Sequence, residues 1–189
     1  MEFLRDAVGD SGLSQSAFAR ALGTSGPRLS TYLNGSTRPS AHFVVRSQRI
    51  GRALGRASAR GWMSAPVTAS QMREGLVAED RVWTWRILLR GRDYLTWILR
   101  DDDPELLAAW EARPSLTGST EWDALLAAVV ENEHRRFGFE VPDWAMVEPL
   151  EVEWLPDHPF LSPDRVRAQT PEWLRSHNIY VPARDLVTA

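Results

Sequence analysis

Apolar residues recur at intervals of three and four through Leu76, Val77, Val82, Trp83, Ile87, Leu88, Tyr94, Leu95, Ile98 and Leu99. That is the period of an amphipathic helix. It predicts one or two helices over 69–100, opened by a capping box in which Thr68 precedes Gln71. Pro104, directly after Asp101, Asp102 and Asp103, suits a first helical position with the acids at the positive end of the helix dipole. A short helix to about residue 112 follows, with Leu106, Leu107 and Trp110 inward. Thr120 caps the next helix, Trp122, Leu125, Leu126, Val129 and Val130 form its inner face, and Gly138 stops it. Beyond lie Pro142, Pro149, Pro156, Pro159, Pro163, Pro171 and Pro182, which allow only short elements. Ser162-Pro163-Asp164 and Thr170-Pro171-Glu172 read as helix starts, Asn178 as a stop, and Ile179, Tyr180 and Val181 as an extended edge.

The pattern is tighter between Leu13 and Ser40. Ser14 caps a helix that turns Phe18, Ala19 and Leu22 inward, Gly23 makes a sharp turn, and a second helix from about Ser25 brings Leu29, Tyr32 and Leu33 back onto the first. Two short helices crossing at a glycine turn, with a small residue at Ala19 where they approach, make a helix-turn-helix. Gly51, Gly55, Gly61 and Pro66 thin the pattern after residue 50 and place a linker near 58–68. Pro114, Gly118 and Ser119 read as an interhelical loop. The expected fold is mainly α. An N-terminal helix-turn-helix domain of about five short helices (1–60) precedes a helical domain (68–189) with a proline-rich, mostly irregular tail.

Charge sharpens this division. Residues 1–62 hold nine arginines against three acids, a balance of +6, and the rest holds 13 arginines against 22 acids, a balance of −9. A basic head before an acidic body makes nucleic acid the first candidate partner. Arg46, Arg49, Arg52, Arg56 and Arg60 share one helical face, which suits a DNA backbone, an acidic partner or solvent. With no cysteine in its 189 residues, the chain has no disulfide framework, thiolate metal site or cysteine nucleophile, which fits a reducing cytoplasm. The opening MEFLRDAVGDSGLS is not a signal peptide, and no later run approaches the ~20 apolar residues of a membrane span, so a cytoplasmic location is expected.

The pattern L-S-Q-x-x-F-A-x-x-L-G-T-S-x-x-x-L-S-x-Y-L-N-G-x-x-x-P-S within Leu13–Ser40 resembles the lambda-repressor-like, Cro-type (XRE) helix-turn-helix family. The resemblance covers about residues 2–57, including a leading helix around Phe3–Val8 and following helices around Ala41–Leu54. It implies that Gln15 opens the first motif helix and reaches a phosphate. It also implies that Gly26, Pro27, Arg28 and Thr31, following Ser25, face the groove, and that Asn34, Ser36 and Arg38 belong to a backbone-contacting loop. Gly26 and Pro27 stand where many members carry longer polar side chains, which shifts base reading to Arg28. Its planar fork fits guanine, a contact worth roughly 1–3 kcal/mol of discrimination.

Catalytic motifs are absent: there is no Walker loop, G-x-G-x-x-G, G-x-S-x-G or H-E-x-x-H. No enzymatic activity, metal or cofactor is expected. Glu131 and His134 have a metal-ligand spacing but no further ligands, and read as a surface pair. Asp101–Asp103 offer oxygen ligands, but a helix start already explains them. All nine tryptophans lie at or after residue 62. Trp83, Trp97, Trp110 and Trp122 fall on apolar faces and are expected in the core. Trp144, Trp154 and Trp173, set among prolines and acids, are candidate anchors for a basic partner protein, or are buried by the tail wrapping back. A Cro-type head with an acidic body resembles antitoxins of toxin–antitoxin operons, which implies a cognate toxin as partner; a single module of this size buries too little surface for tight specific binding, so a homodimer on an inverted-repeat operator of double-stranded DNA is expected. The alternative is a stand-alone regulator whose C-terminal region dimerises or senses a small ligand.

Overall fold

The computed structural model describes residues 2–187. The chain is mainly α. In order come α1 (Glu2–Ser11), α2 (Gln15–Ala21), α3 (Gly26–Leu33), α4 (Ala41–Ala59) and α5 (Ala65–Val77). Then follow α6 (Arg81–Arg100), α7 (Pro104–Glu111), α8 (Thr120–Phe137), α9 (Pro163–Gln169) and α10 (Glu172–Arg175), with 3-10 turns at Asp143–Ala145 and Ala183–Leu186. By compactness the chain forms two units: Met1–Ser70 with Tyr94–Ser115, and Gln71–Asp93 with Leu116–Ala189. The N-terminal head thus gains 94–115, a segment the hydrophobic pattern alone assigned to the body.

In the first unit the glycines that thin the sequence pattern prove to be contacts. A Cβ on Gly51 would lie 2.4 Å from the carbonyl oxygen of Ala7, and one on Gly55 2.2 Å from that of Asp10. Their i, i+4 spacing puts both on one face of α4, where the α1 backbone lies directly against it. The helix runs through both, so residues 41–59 are one helix, and 2–59 holds four helices rather than about five. The stretch 58–68 is a corner, not a linker: the Trp62 N–H returns to the Ala57 carbonyl, and Met63, Ser64, Ala65 and Thr68 are buried. Pro66 sits in the first turn of α5, where its missing N–H costs nothing. Thr68 lies inside that helix, and its hydroxyl donates to the Ser64 carbonyl at 2.8 Å instead of capping. Asp103 caps α7 by accepting from the Glu105 and Leu106 N–H groups, each at 3.0 Å, as the acid–proline run implies.

The second unit is built around α8, in which every side chain from Ala124 to Val130 is buried. Ser119 caps it, one residue before the expected Thr120, and Gly138 ends it at φ 76°. Glu133 on α8, only 1% exposed, is held by Arg92 Nε at 2.9 Å and by Arg136 at 3.4 Å. Arg92 also donates to the Leu186 carbonyl. The tail is ordered by its own backbone: Trp154 N–H donates to Asn178, Tyr180 N–H returns to Trp154, and Trp154 and Ile179 form an isolated parallel bridge. Asn178, at φ 58°, turns the chain after α10.

Two of the four tryptophans expected in the core are not there. Trp110 and Trp122 are buried, whereas Trp83 and Trp97 are 45% and 52% exposed. Trp97 meets the rings of Trp62 and Tyr94 edge-on in a surface cluster. Trp83 lies over Gly75, where a Cβ would stand 2.9 Å from its Cδ1.

Candidate nucleic-acid interface

Local chemistry sets both motif helices. The Ser14 hydroxyl accepts from the Ala17 N–H at 3.2 Å and the Ser25 hydroxyl from the Arg28 N–H at 3.3 Å, so each helix begins at a serine cap. Gly23 at φ 71° makes the turn between them. Phe18, Ala19, Leu22, Leu29 and Tyr32 are buried where α2 and α3 meet. The far ends are capped from outside the motif. Arg46 on α4 donates to the Leu22 carbonyl at 2.8 Å, and Arg5 on α1 to the Leu33 carbonyl at 2.9 Å. A cation at a helix C-terminus answers both the orphan carbonyls and the dipole. Neither role was legible in the sequence, because the donors lie 24 and 28 residues from their acceptors.

With the apolar face packed, Pro27, Arg28 and Ser30 of α3 are exposed and Gly26 and Thr31 half-buried. Arg28 is oriented: its Nε donates to the Tyr32 hydroxyl at 2.8 Å and its guanidinium stands 5.9 Å from that ring's centre. The Nη pair is left as the outward fork, the geometry that a bidentate contact to a base or phosphate uses. The Thr31 hydroxyl donates within the helix to the Arg28 carbonyl at 2.9 Å, which leaves its methyl and lone pairs for a partner. Gly26 and Pro27 bring no side-chain donor. Gln15, Ser25, Asn34, Ser36 and Arg38 are exposed, and Asn34 orders its loop by accepting from the Ser36 N–H at 2.9 Å. Gln15 and Asn34 line a shallow groove of about 380 Å³ together with Ser30. Ser30 was missed in the sequence, although its place three residues after Pro27 marks it as outward.

The destinations of the head's arginines change the charge picture. Arg49 forms a bidentate pair with Glu111, Arg56 pairs with Glu105, and Arg60 lies 4.0 Å from Asp103. The acidic partner of that arginine face is therefore α7 and its cap. With 94–115 included, the first unit holds eleven arginines against eight acids, +3, and the second eleven against seventeen, −6. Arg38 and Arg52 have no hydrogen bond or ion pair among the described residues. With Arg28, they are among the cations of the first unit that no acid in it pairs.

The other candidate sites fare differently. Trp144, Trp154 and Trp173 are all half-buried. Trp154 packs edge-on against Trp122 at 5.6 Å and lines a groove that neither Trp144 nor Trp173 reaches. His134, read as a surface residue, is buried, with Nδ1 2.8 Å from the Val130 carbonyl, and Glu131 pairs with His177 instead. No cluster of three metal-ligating side chains and no helix long and apolar enough to cross a membrane occurs among the described residues.

A serine-capped helix pair with an outward recognition helix defines a helix-turn-helix module, the class of fold that places a helix in the major groove of DNA. Residues 2–59 match the family model of the helix-turn-helix domain, consistent with the Cro-type resemblance. No curated protein and no solved structure matches the chain.

Proposed function

We propose that this protein is a sequence-specific transcriptional repressor. In this reading a homodimer sets two α3 helices in successive major grooves of an inverted repeat, with half-sites about one turn, roughly 34 Å, apart. The observation that carries it is the exposed Arg28 fork held by the Tyr32 hydroxyl on the solvent face of α3. A single head of this size buries too little surface for tight specific binding, which is the argument for a pair. The operator is found by selection from random duplexes and the protein is then titrated against it. Arg28→Ala is expected to weaken the selected site about 10-fold, the equivalent of ~1.4 kcal/mol, with little effect on random DNA. Arg38→Ala is expected to weaken both alike and to flatten the salt dependence. Equal loss on both kinds of DNA from Arg28→Ala refutes the specificity assigned to it.

For the second unit, the −6 balance supports recognition rather than catalysis, with a basic cognate toxin as its target, as in an antitoxin. Co-purification of the full-length protein with the product of the adjacent gene tests this, and a neighbour that is neither bound nor toxic ends it. A second reading, a regulator that answers a small ligand, is favoured by one observation: a groove of about 770 Å³ in the same unit.

A further inference from the structure

We propose that this groove binds a small, flat aromatic carboxylate, a proposal that rests on the ligand-sensing reading and gives it a ligand class. Its volume of about 770 Å³ lies within the ~300–1,000 Å³ of small-molecule sites. Five stretches of chain build it, and its walls are aromatic: Trp85, Trp122, Trp154 and Tyr180. Trp85 and Trp122 stand 5.6 Å apart at 72°, and Trp122 and Trp154 5.6 Å apart at 62°. Rings stepped edge-to-face in this way offer both edges and faces to a flat guest, which a flexible alkyl chain would leave unmatched.

The walls are fixed without a ligand. Trp85 Nε1 donates to the Asp185 carbonyl at 2.9 Å. His158 Nδ1 accepts from the Phe160 and Leu161 N–H groups, each at 3.0 Å, which places the ring proton on Nε2, 3.0 Å from the Asp185 carboxylate. The segment around 158 is thereby joined to the turn at 183–186, so little ordering is left for a ligand to induce. Phe160 and Val82 remain 85% and 63% exposed at this groove, apolar surface that a guest would cover.

Charge selects the acid. Arg81, Arg86 and Arg184 line the groove against Asp157 and Asp185, a local excess of one positive charge in a unit that carries −6 overall. Asp185 is already engaged by His158 and lies 3.6 Å from Arg184. Arg81 and Arg86 have no partner among the described residues. Both are exposed on α6 beside Trp85, where a guanidinium fork can meet a carboxylate while the ring system enters the groove.

The test titrates naphthalene-2-carboxylate into the full-length protein, followed by tryptophan fluorescence and calorimetry. Saturable one-to-one binding is expected. Naphthalene-2-carboxamide, of the same shape without the charge, and cyclohexanecarboxylate, charged without a flat ring, should each bind at least tenfold more weakly. Arg81→Gln with Arg86→Gln, two exposed positions whose exchange leaves the walls intact, should weaken the acid about tenfold and leave the amide unchanged. Equal binding of acid and amide, or an unchanged acid affinity in the double variant, overturns the carboxylate assignment. No saturable binding of any probe to 1 mM overturns the site. Operator affinity is then measured with and without the bound acid. Unchanged affinity leaves the site standing and ends the ligand-sensing reading alone.

Discussion

Replacing Gly51 by alanine sets two opposed effects against each other. Alanine in a helix interior is favoured over glycine by about 1 kcal/mol. The new methyl, however, would lie 2.4 Å from the Ala7 carbonyl oxygen, roughly 1 Å inside ordinary carbon–oxygen contact, and the obstacle is backbone rather than a side chain that can rotate away. Overpacking of this kind costs about 1–3 kcal/mol, and parting α1 from α4 also loosens Arg5, which caps α3 from α1. The net is a loss of up to about 2 kcal/mol, the clash offsetting or exceeding the propensity gain. Gly9, inside α1 with nothing within 4 Å of its would-be Cβ, is the control: Gly9→Ala should stabilise by about 0.5–1 kcal/mol. Urea midpoints at unchanged m, and melting temperatures moving ~2–4 °C per kcal/mol, read both variants in the full-length protein. A Gly51→Ala midpoint that rises like that of Gly9→Ala would refute the close crossing.

Tyr32→Phe removes the hydroxyl that orients Arg28, and is expected to weaken the selected operator several-fold in a binding titration without changing the salt slope, because no phosphate contact is lost. Arg92→Met takes from buried Glu133 the guanidinium 2.9 Å away, while Arg136, itself largely exposed, stands at 3.4 Å. The expected cost is about 3 kcal/mol by urea denaturation, and Glu133→Leu in the same chain should recover part of it. The Glu121 carboxyl is held below the usual range, first by the Ser119 hydroxyl, which donates to it at 2.5 Å, and then by its own backbone N–H. Its contribution is therefore complete above the ordinary value of 4.5 and is lost as the pH falls through the lowered one. The stability gap between wild type and Glu121→Gln should be full at pH 6–7 and shrink toward pH 3, and a gap independent of pH would contradict the pairing.

What the sequence by itself determined about this protein lies within about one helical turn of each residue. Serine hydroxyls at Ser14 and Ser25, the Asp103–Pro104 start and the left-handed Gly138 act on N–H groups and dihedrals two to four residues away. The helical period needs no distant partner. The motif pair was legible for that reason, whereas the groove-facing positions of α3 came from the family resemblance. Thr68 was misread because Ser64, four residues earlier, supplied a competing start that tolerates Pro66. Everything carried by partners far along the chain was decided only by the tertiary structure. Gly51 and Gly55 read as breaks until the α1 backbone lies against them, and the sequence left Arg49 and Arg56 open between DNA, an acidic partner and solvent until α7, about fifty to sixty residues on, paired them. Trp97 fits an apolar helical face by its period, yet packing leaves it half in solvent. The groove around Trp122 draws on positions from 81 to 185, and no local hydrogen bond or period records that those side chains meet.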